Sequence, residues 1–160
     1  DGMYDKEPEE PALHKAAREG SADAVKVLVD AEANLNLIDA DGRSALHAAA
    51  QEGSAEVITI LVCAKAKLNL VDKAFASFCP SLSFSFFSYS LKSGYTPLIS
   101  AASKGHATCI SLLLGAGAEL ETKNKHGETA RDAAEADKNG QWKEVVKLLD
   151  AYAATTSVSM

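Results

Sequence analysis

The sequence predicts an all-α helical solenoid with short β-hairpin projections, and three observations carry that prediction. Leu13-His14 and Leu46-His47 stand 33 residues apart, Leu46 and Leu98 stand 52 apart, and Leu98 and Arg131 return to 33. Because 52 exceeds 33 by 19, the odd step is one period plus an insertion. Each period also holds two short helical patterns with a glycine between them, and then a turn-forming segment. A fixed period of this size means stacked supersecondary units, each burying its apolar face only against its neighbours.

The first helix of each unit is announced by its start. Ser44-Ala45-Leu46-His47-Ala48-Ala49-Ala50 and Thr96-Pro97-Leu98-Ile99-Ser100-Ala101-Ala102 open on hydroxyl residues able to cap exposed N–H groups, and Pro97 suits the first helical position. Gly20, Gly53 and Gly105 follow the alanine pairs at equivalent places, where a short helix ends on a left-handed residue. The first helix is therefore expected to be about two turns long.

A second helix follows each glycine. Val25, Leu28 and Val29, then Val57, Ile58, Leu61 and Val62, then Cys109, Ile110, Leu113 and Leu114 recur at i, i+3 and i+4, one buried stripe per helix. Alanines on the first helix let neighbouring helices approach closely, while the longer side chains of the second fill the layer between units. Ala33-Asn34-Leu35-Asn36, Ala66-Lys67-Leu68-Asn69 and Ala118-Glu119-Leu120-Glu121 read as extended segments leading to turns at Asp41-Gly42 and Lys125-His126-Gly127.

Taken together these residues resemble the ankyrin repeat. Thr96-Pro97-Leu98, Ala101-Ala102, Gly105-His106 and Leu112-Leu113-Leu114-Gly115-Ala116-Gly117-Ala118 carry the likeness most closely. It implies an ankyrin-repeat helical solenoid over residues 9–152, with repeats at about 9–38, 39–73, 93–123 and 124–152, an insertion at 74–92, an acidic segment at 1–8 and a flexible tail at 153–160. Pro11-Ala12, Ile99 and Arg131-Asp132 depart from the family pattern, and the last unit lengthens its interhelical link around Asp137 to Gln141 by about three residues, judged from Val145 against Cys109. End repeats have one solvated face and are commonly atypical, so the fourth unit reads as a cap.

Composition narrows the function classes. Cys63, Cys79 and Cys109 are an odd number without a C-x-x-C pair, which points to reduced thiols and a cytoplasmic or nuclear protein rather than to a disulfide framework or a zinc site. The acidic start lacks the basic and apolar regions of a signal peptide, and a chain opening on Asp1 can be a fragment of a longer protein. A net charge of −6 disfavours nucleic acid as a partner, because phosphate binding needs a clustered basic surface and only Lys123, Lys125 and His126 form one. Gly115-Ala116-Gly117 fails as a dinucleotide motif, since Leu120 stands where the third glycine would be. His14 and His47 lie one period apart, in different layers, and do not meet as metal ligands. No serine, cysteine or carboxylate stands in a recognisable nucleophile setting, so no enzyme, cofactor, metal or small-molecule substrate is expected.

Residues 74–92 break the pattern, holding all five phenylalanines and six serines. The stretch from Ala74 to Leu91 is uncharged for 18 residues, near membrane-span length. A crossing would separate its ends by about 30 Å of hydrocarbon, whereas the flanking units must touch; a span is disfavoured. A partner-binding loop anchored by Phe84, Phe86 and Phe87 is a second reading, as is shallow membrane contact. A third is translation of an unremoved intron, because Phe, Ser, Leu and Pro all have pyrimidine-rich codons and deletion of residues 74–92 restores the period with none left over.

The resemblance implies a monomeric module that binds a protein through its hairpin tips and the concave face of its first helices. Carried onto this chain, the contacts are Arg18 and Glu19; Asp41, Arg43, Gln51 and Glu52; Tyr95, Ser103 and Lys104; and Lys125, His126 and Glu128, with Arg43 and Tyr95 expected to project from their turns as anchors. The alternative is a regulatory domain of a larger enzyme or channel.

Overall fold

In the computed structural model, residues 10–73, 94–136 and 141–157 are described. They form eight helices in four pairs: α1 (Ala12–Arg18) and α2 (Ala22–Asp30), α3 (Ala45–Glu52) and α4 (Ala55–Cys63), α5 (Pro97–Ser103) and α6 (Ala107–Gly115), α7 (Ala130–Ala136) and α8 (Trp142–Ser157). First helices pack on first helices, α1 on α3 on α5 on α7, and second helices form a parallel row, α2 on α4 on α6 on α8. The solenoid predicted from the period is the observed architecture. The segments expected at 1–8 and 74–92, and the lengthened link of the last unit, fall mostly or wholly outside the described residues.

The core lies between the two rows. Leu46, Leu98 and the alanines Ala45, Ala49, Ala50, Ala101 and Ala102 are buried on the first helices, and Val57, Ile58, Leu61, Cys109, Ile110, Leu113 and Leu114 are buried on the second. Small side chains bring the first row close while branched ones fill the gap, as close packing requires.

Two elements differ from expectation. The hairpin arms form no strand among the described residues; a single antiparallel bridge joins Ile38 and Ser44. Each arm is only a few residues long, and its polar groups are taken up by the turn and by neighbouring units. The expected tail is helical as far as Ser157, because Ala151, Ala153 and Ala154 favour helix and Tyr152 Oη pins this turn by donating to the Leu114 carbonyl at 2.6 Å.

Polar bonds tie the first unit to the second and the second to the third. His14 Nε2 donates to the Arg43 carbonyl at 2.8 Å, and His47 Nε2 to the Tyr95 carbonyl at 2.9 Å. Asn36 Oδ1 accepts from Lys67 N at 2.8 Å, and Asn69 Oδ1 from Glu119 N at 3.0 Å. His47 Nδ1 also accepts from Ser44 N at 3.1 Å and bonds Ser44 Oγ at 2.9 Å, closing the start of α3.

The corresponding atom of the first unit has no such support. Proline replaces the cap residue there, so neither an N–H nor a hydroxyl faces His14, and its buried Nδ1 has no hydrogen-bond partner. An unpaired buried acceptor costs about 1 to 3 kcal/mol. Pro11→Ser should therefore raise stability by about 1 kcal/mol after the loss of proline's stiffening of the unfolded chain. Urea unfolding measures this, and a variant no more stable than the parent would show that the imidazole is not limiting.

Candidate interaction surface

Three turns on one edge of the stack share a construction. In the first, Asp39 N donates to the Arg43 carbonyl at 2.9 Å while Asp39 Oδ1 accepts from Asp41 N and Arg43 N at 2.9 and 2.8 Å. In the third, Asn124 N donates to the Glu128 carbonyl at 2.9 Å, and Asn124 Oδ1 accepts from His126 N and Glu128 N, each at 2.9 Å. The second turn keeps this clasp across the insertion: Asp72 N donates to the Tyr95 carbonyl at 2.9 Å, and Asp72 Oδ1 accepts from Tyr95 N at 2.8 Å. An Asx side chain that bonds backbone ahead of it is a local device requiring no strand.

The hydrogen bonds of this clasp are made by Asp72 and Tyr95, which flank residues 74–92. Without them the turn reads Asp72-Lys73-Ser93-Gly94-Tyr95, the same length as Asp39-Ala40-Asp41-Gly42-Arg43. Lengthening such a turn about fivefold costs only about 1.4 kcal/mol in loop entropy. The deletion variant should hold or raise the melting temperature, and one that unfolds would place the phenylalanines in the core.

Neighbouring turns touch. Lys73 N donates to the Asp41 carbonyl at 3.0 Å, and a Cβ at Gly42 would stand 2.6 Å from Lys73 N. With φ at +73°, position 42 admits glycine alone without rearrangement.

The structure distributes the expected contact residues unevenly. Arg18, Glu19, Asp41, Glu52, Lys125 and His126 are exposed, and Arg43, Gln51, Ser103, Lys104 and Glu128 are half-buried. Arg18 pairs with Glu10 at 2.6 Å, and Arg43 pairs with both Asp39 and Asp41. A shallow depression of about 280 Å³ brings Arg18, Asp41 and Arg43 together with Glu10, Asp39 and Ile38. The Gln51 carbonyl accepts from His106 Nε2 at 3.0 Å, Ser103 Oγ donates to the Ser100 carbonyl at 3.0 Å, and Glu128 accepts from Asn124 Nδ2 at 2.8 Å.

Tyr95 is a correction. It was expected to project from its turn, but it is only 8% exposed and belongs to the core. Its position matches that of Arg43, yet an aromatic ring gains more from burial between stacked turns than from water. Burial, with the nearby charges of Glu128 and Asp72, raises its phenol above the ordinary range. Phe84, Phe86 and Phe87 lie outside the described residues.

Missed in the sequence were Glu10, Asp39 and Lys73 on this edge and the buried Asn124 that clasps its third turn; the recurrence of an Asx residue at 39, 72 and 124 was the available signal. Burial raises the Asp72 carboxyl above its usual value and lowers His47 to about 4. Among the described residues no group of three or more metal-ligating side chains assembles, and no helix is long and apolar enough to cross a membrane.

Two family models for ankyrin repeats match the chain, one for three copies over residues 2–72 and one for many copies over residues 89–134. The chain belongs to the ankyrin repeat family. Most of the insertion falls between the two matches. No curated protein matches the sequence. Ankyrin repeats are in general protein-interaction modules, typically without catalysis. Thr96 Oγ1 accepts from Ile99 N at 3.2 Å and so caps α5, as its hydroxyl and the following Pro97 led one to expect.

Proposed function

We propose that the chain binds a protein partner through the edge of stacked turns and the adjoining ends of its first helices. The observation that carries this reading is the clasped row of turns, which presents Asp41, Arg43, Lys125, His126 and Glu128 on a preformed frame. Rigid presentation limits the ordering entropy lost on association. Arg43 is the anchor this frame supports, with Arg18, Glu19, Gln51, Glu52, Ser103 and Lys104 flanking it from the helix ends, and Tyr95 serves by holding the turn. Cys63 and Cys109 are free thiols, in keeping with a reducing compartment, the cytoplasm or nucleus. The protein acts as a monomeric, non-catalytic adaptor.

The test starts from proteins captured from cell extract by the parent chain. Arg43→Ala combined with Lys125→Glu should reduce capture of a specific partner at least about tenfold, the loss of roughly 1.4 kcal/mol or more, with far-ultraviolet dichroism and melting temperature nearly unchanged. Retained capture, together with loss on deleting residues 74–92, would move the binding element to the insertion.

A further inference from the structure

Three of the four large apolar side chains exposed among the described residues sit together on the turn edge. Leu37 and Ile38 are each 45% exposed, and Val71 is 48% exposed. One exposed aliphatic residue is ordinary, but a cluster is not. Ile38 and Val71 hold the same place, directly before the Asx residue of their clasps, and Leu70 stands half-buried as the counterpart of Leu37. Two bonds between the arms, Lys67 N to Asn36 Oδ1 and Lys73 N to the Asp41 carbonyl, bracket these positions and hold the arms side by side. Val71 has a neighbouring turn on either side, so its exposure is not that of a chain end.

At the third arm the same two places hold Thr122 and Lys123, and the apolar stripe gives way to charge. The second and third turns touch, since a Cβ at Gly94 would stand 2.9 Å from Lys125 N. Lys73, Lys123 and Lys125 are all exposed, and none forms an ion pair among the described residues. The carboxylates that could answer them are engaged. Asp39 and Asp41 hold Arg43, Glu128 accepts from Asn124, and Asp132, which Lys123 helps to keep ionised, accepts from Thr129 N and Oγ1 at 2.9 and 2.8 Å. In a chain of net charge −6, three uncompensated lysines at one corner make a local field opposite to that of the whole.

We infer that the partner segment read by the turn edge is both acidic and apolar: it lays aliphatic or aromatic side chains on the Ile38–Val71 stripe and carries carboxylates over Lys73, Lys123 and Lys125. This rests on the binding role given to the edge above and adds the chemistry and polarity of what binds there. The two halves of the surface select the occupant together. A purely apolar segment leaves the ammonium groups unanswered, a basic one is repelled, and a polyanion without apolar groups leaves the aliphatic stripe in water.

A random peptide library selected on the full chain supplies the probe, and capture from cell extract runs beside it. Selected peptides should combine Asp or Glu with Leu, Ile, Val or Phe. For the strongest of them, Ile38→Ser with Val71→Ser should weaken binding at least about tenfold at any salt concentration. Lys73→Glu with Lys123→Glu should weaken it as much at low salt, and less as added salt screens the charges. All four side chains are exposed, so the melting temperature should hardly move in either variant. Peptides without carboxylates, or binding indifferent to the Ile38 and Val71 pair, would overturn the inference, the latter leaving a plain polyanion site. A stripe that matters only after residues 74–92 are deleted would overturn it too, because the occupant would then be the chain's own insertion. If both variants capture extract partners as the parent does while Arg43→Ala with Lys125→Glu does not, this inference fails and the turn-edge reading stands; if all three capture equally, both fall.

Discussion

Replacing Leu61 by alanine should cost about 2 to 5 kcal/mol, through lost burial and the cavity left behind. Leu61 is fully buried on α4, whose neighbours α2 and α6 lie on either side, so the hole opens in the middle of the second row and no chain end can collapse into it. Glu52, at the exposed end of α3, is the control: Glu52→Ala should change stability by less than about 0.5 kcal/mol. Denaturant unfolding of the two variants decides the matter, and equal losses would refute the register of the second helices.

Acid should loosen the stack through His47. The unfolded imidazole titrates near the ordinary histidine value of 6.5, while burial holds the folded one at about 4, the Tyr95 carbonyl and Asp39 opposing that lowering and Arg43 adding to it. A depressed folded value means that the unfolded chain takes up the proton first. Stability from this group is complete above pH 6.5 and declines as pH falls towards 4, by about 3 kcal/mol in total. The cause is local: Nδ1 is already filled by Ser44, so protonation there would set a donor against a donor in a site closed to water. Asp72 acts with opposite sign near the lower limit, because its raised carboxyl value favours the folded chain once protonated. Urea unfolding at pH 7.5 and 4.5 should show the loss, and His47→Gln should flatten the profile; a parent profile already flat would mean that the ring is not held neutral.

The architecture was readable because the same constraint recurs. Leu46 and Leu98, or Ile58 and Ile110, are the same solution to the same packing problem, so a misreading at one position is corrected at the next. The first helices and the stripe on the second follow from that recurrence. Tyr95 was not readable, since the direction of a turn side chain depends on the neighbouring turn, here on Asn124, which lies 29 residues further along. The clasp at Asp72 was hidden by the insertion, which separates partners that in the other turns are four residues apart. The length of α8 escaped because alanine at 151, 153 and 154 suits either a helix or a tail until Tyr152 finds the Leu114 carbonyl.

Ile99 has a consequence for how the molecule breathes. Histidine at positions 14 and 47 and asparagine at 36 and 69 supply polar couplings at the first two junctions, but at the third the equivalent residues are Ile99 and Glu121, and neither forms such a bond among the described residues. A row of units joined by unequal nearest-neighbour couplings does not open uniformly. The third junction lacks these two repeated couplings and relies on apolar contact, on the bond of the Tyr95 side chain with Asn124 and on that of Tyr152 with the Leu114 carbonyl, so the fourth unit is expected to open before the first three. A partner spanning the third and fourth units would therefore tighten the whole row, and its binding would be felt as slower amide exchange in α7 and α8, far from most of the surface it touches.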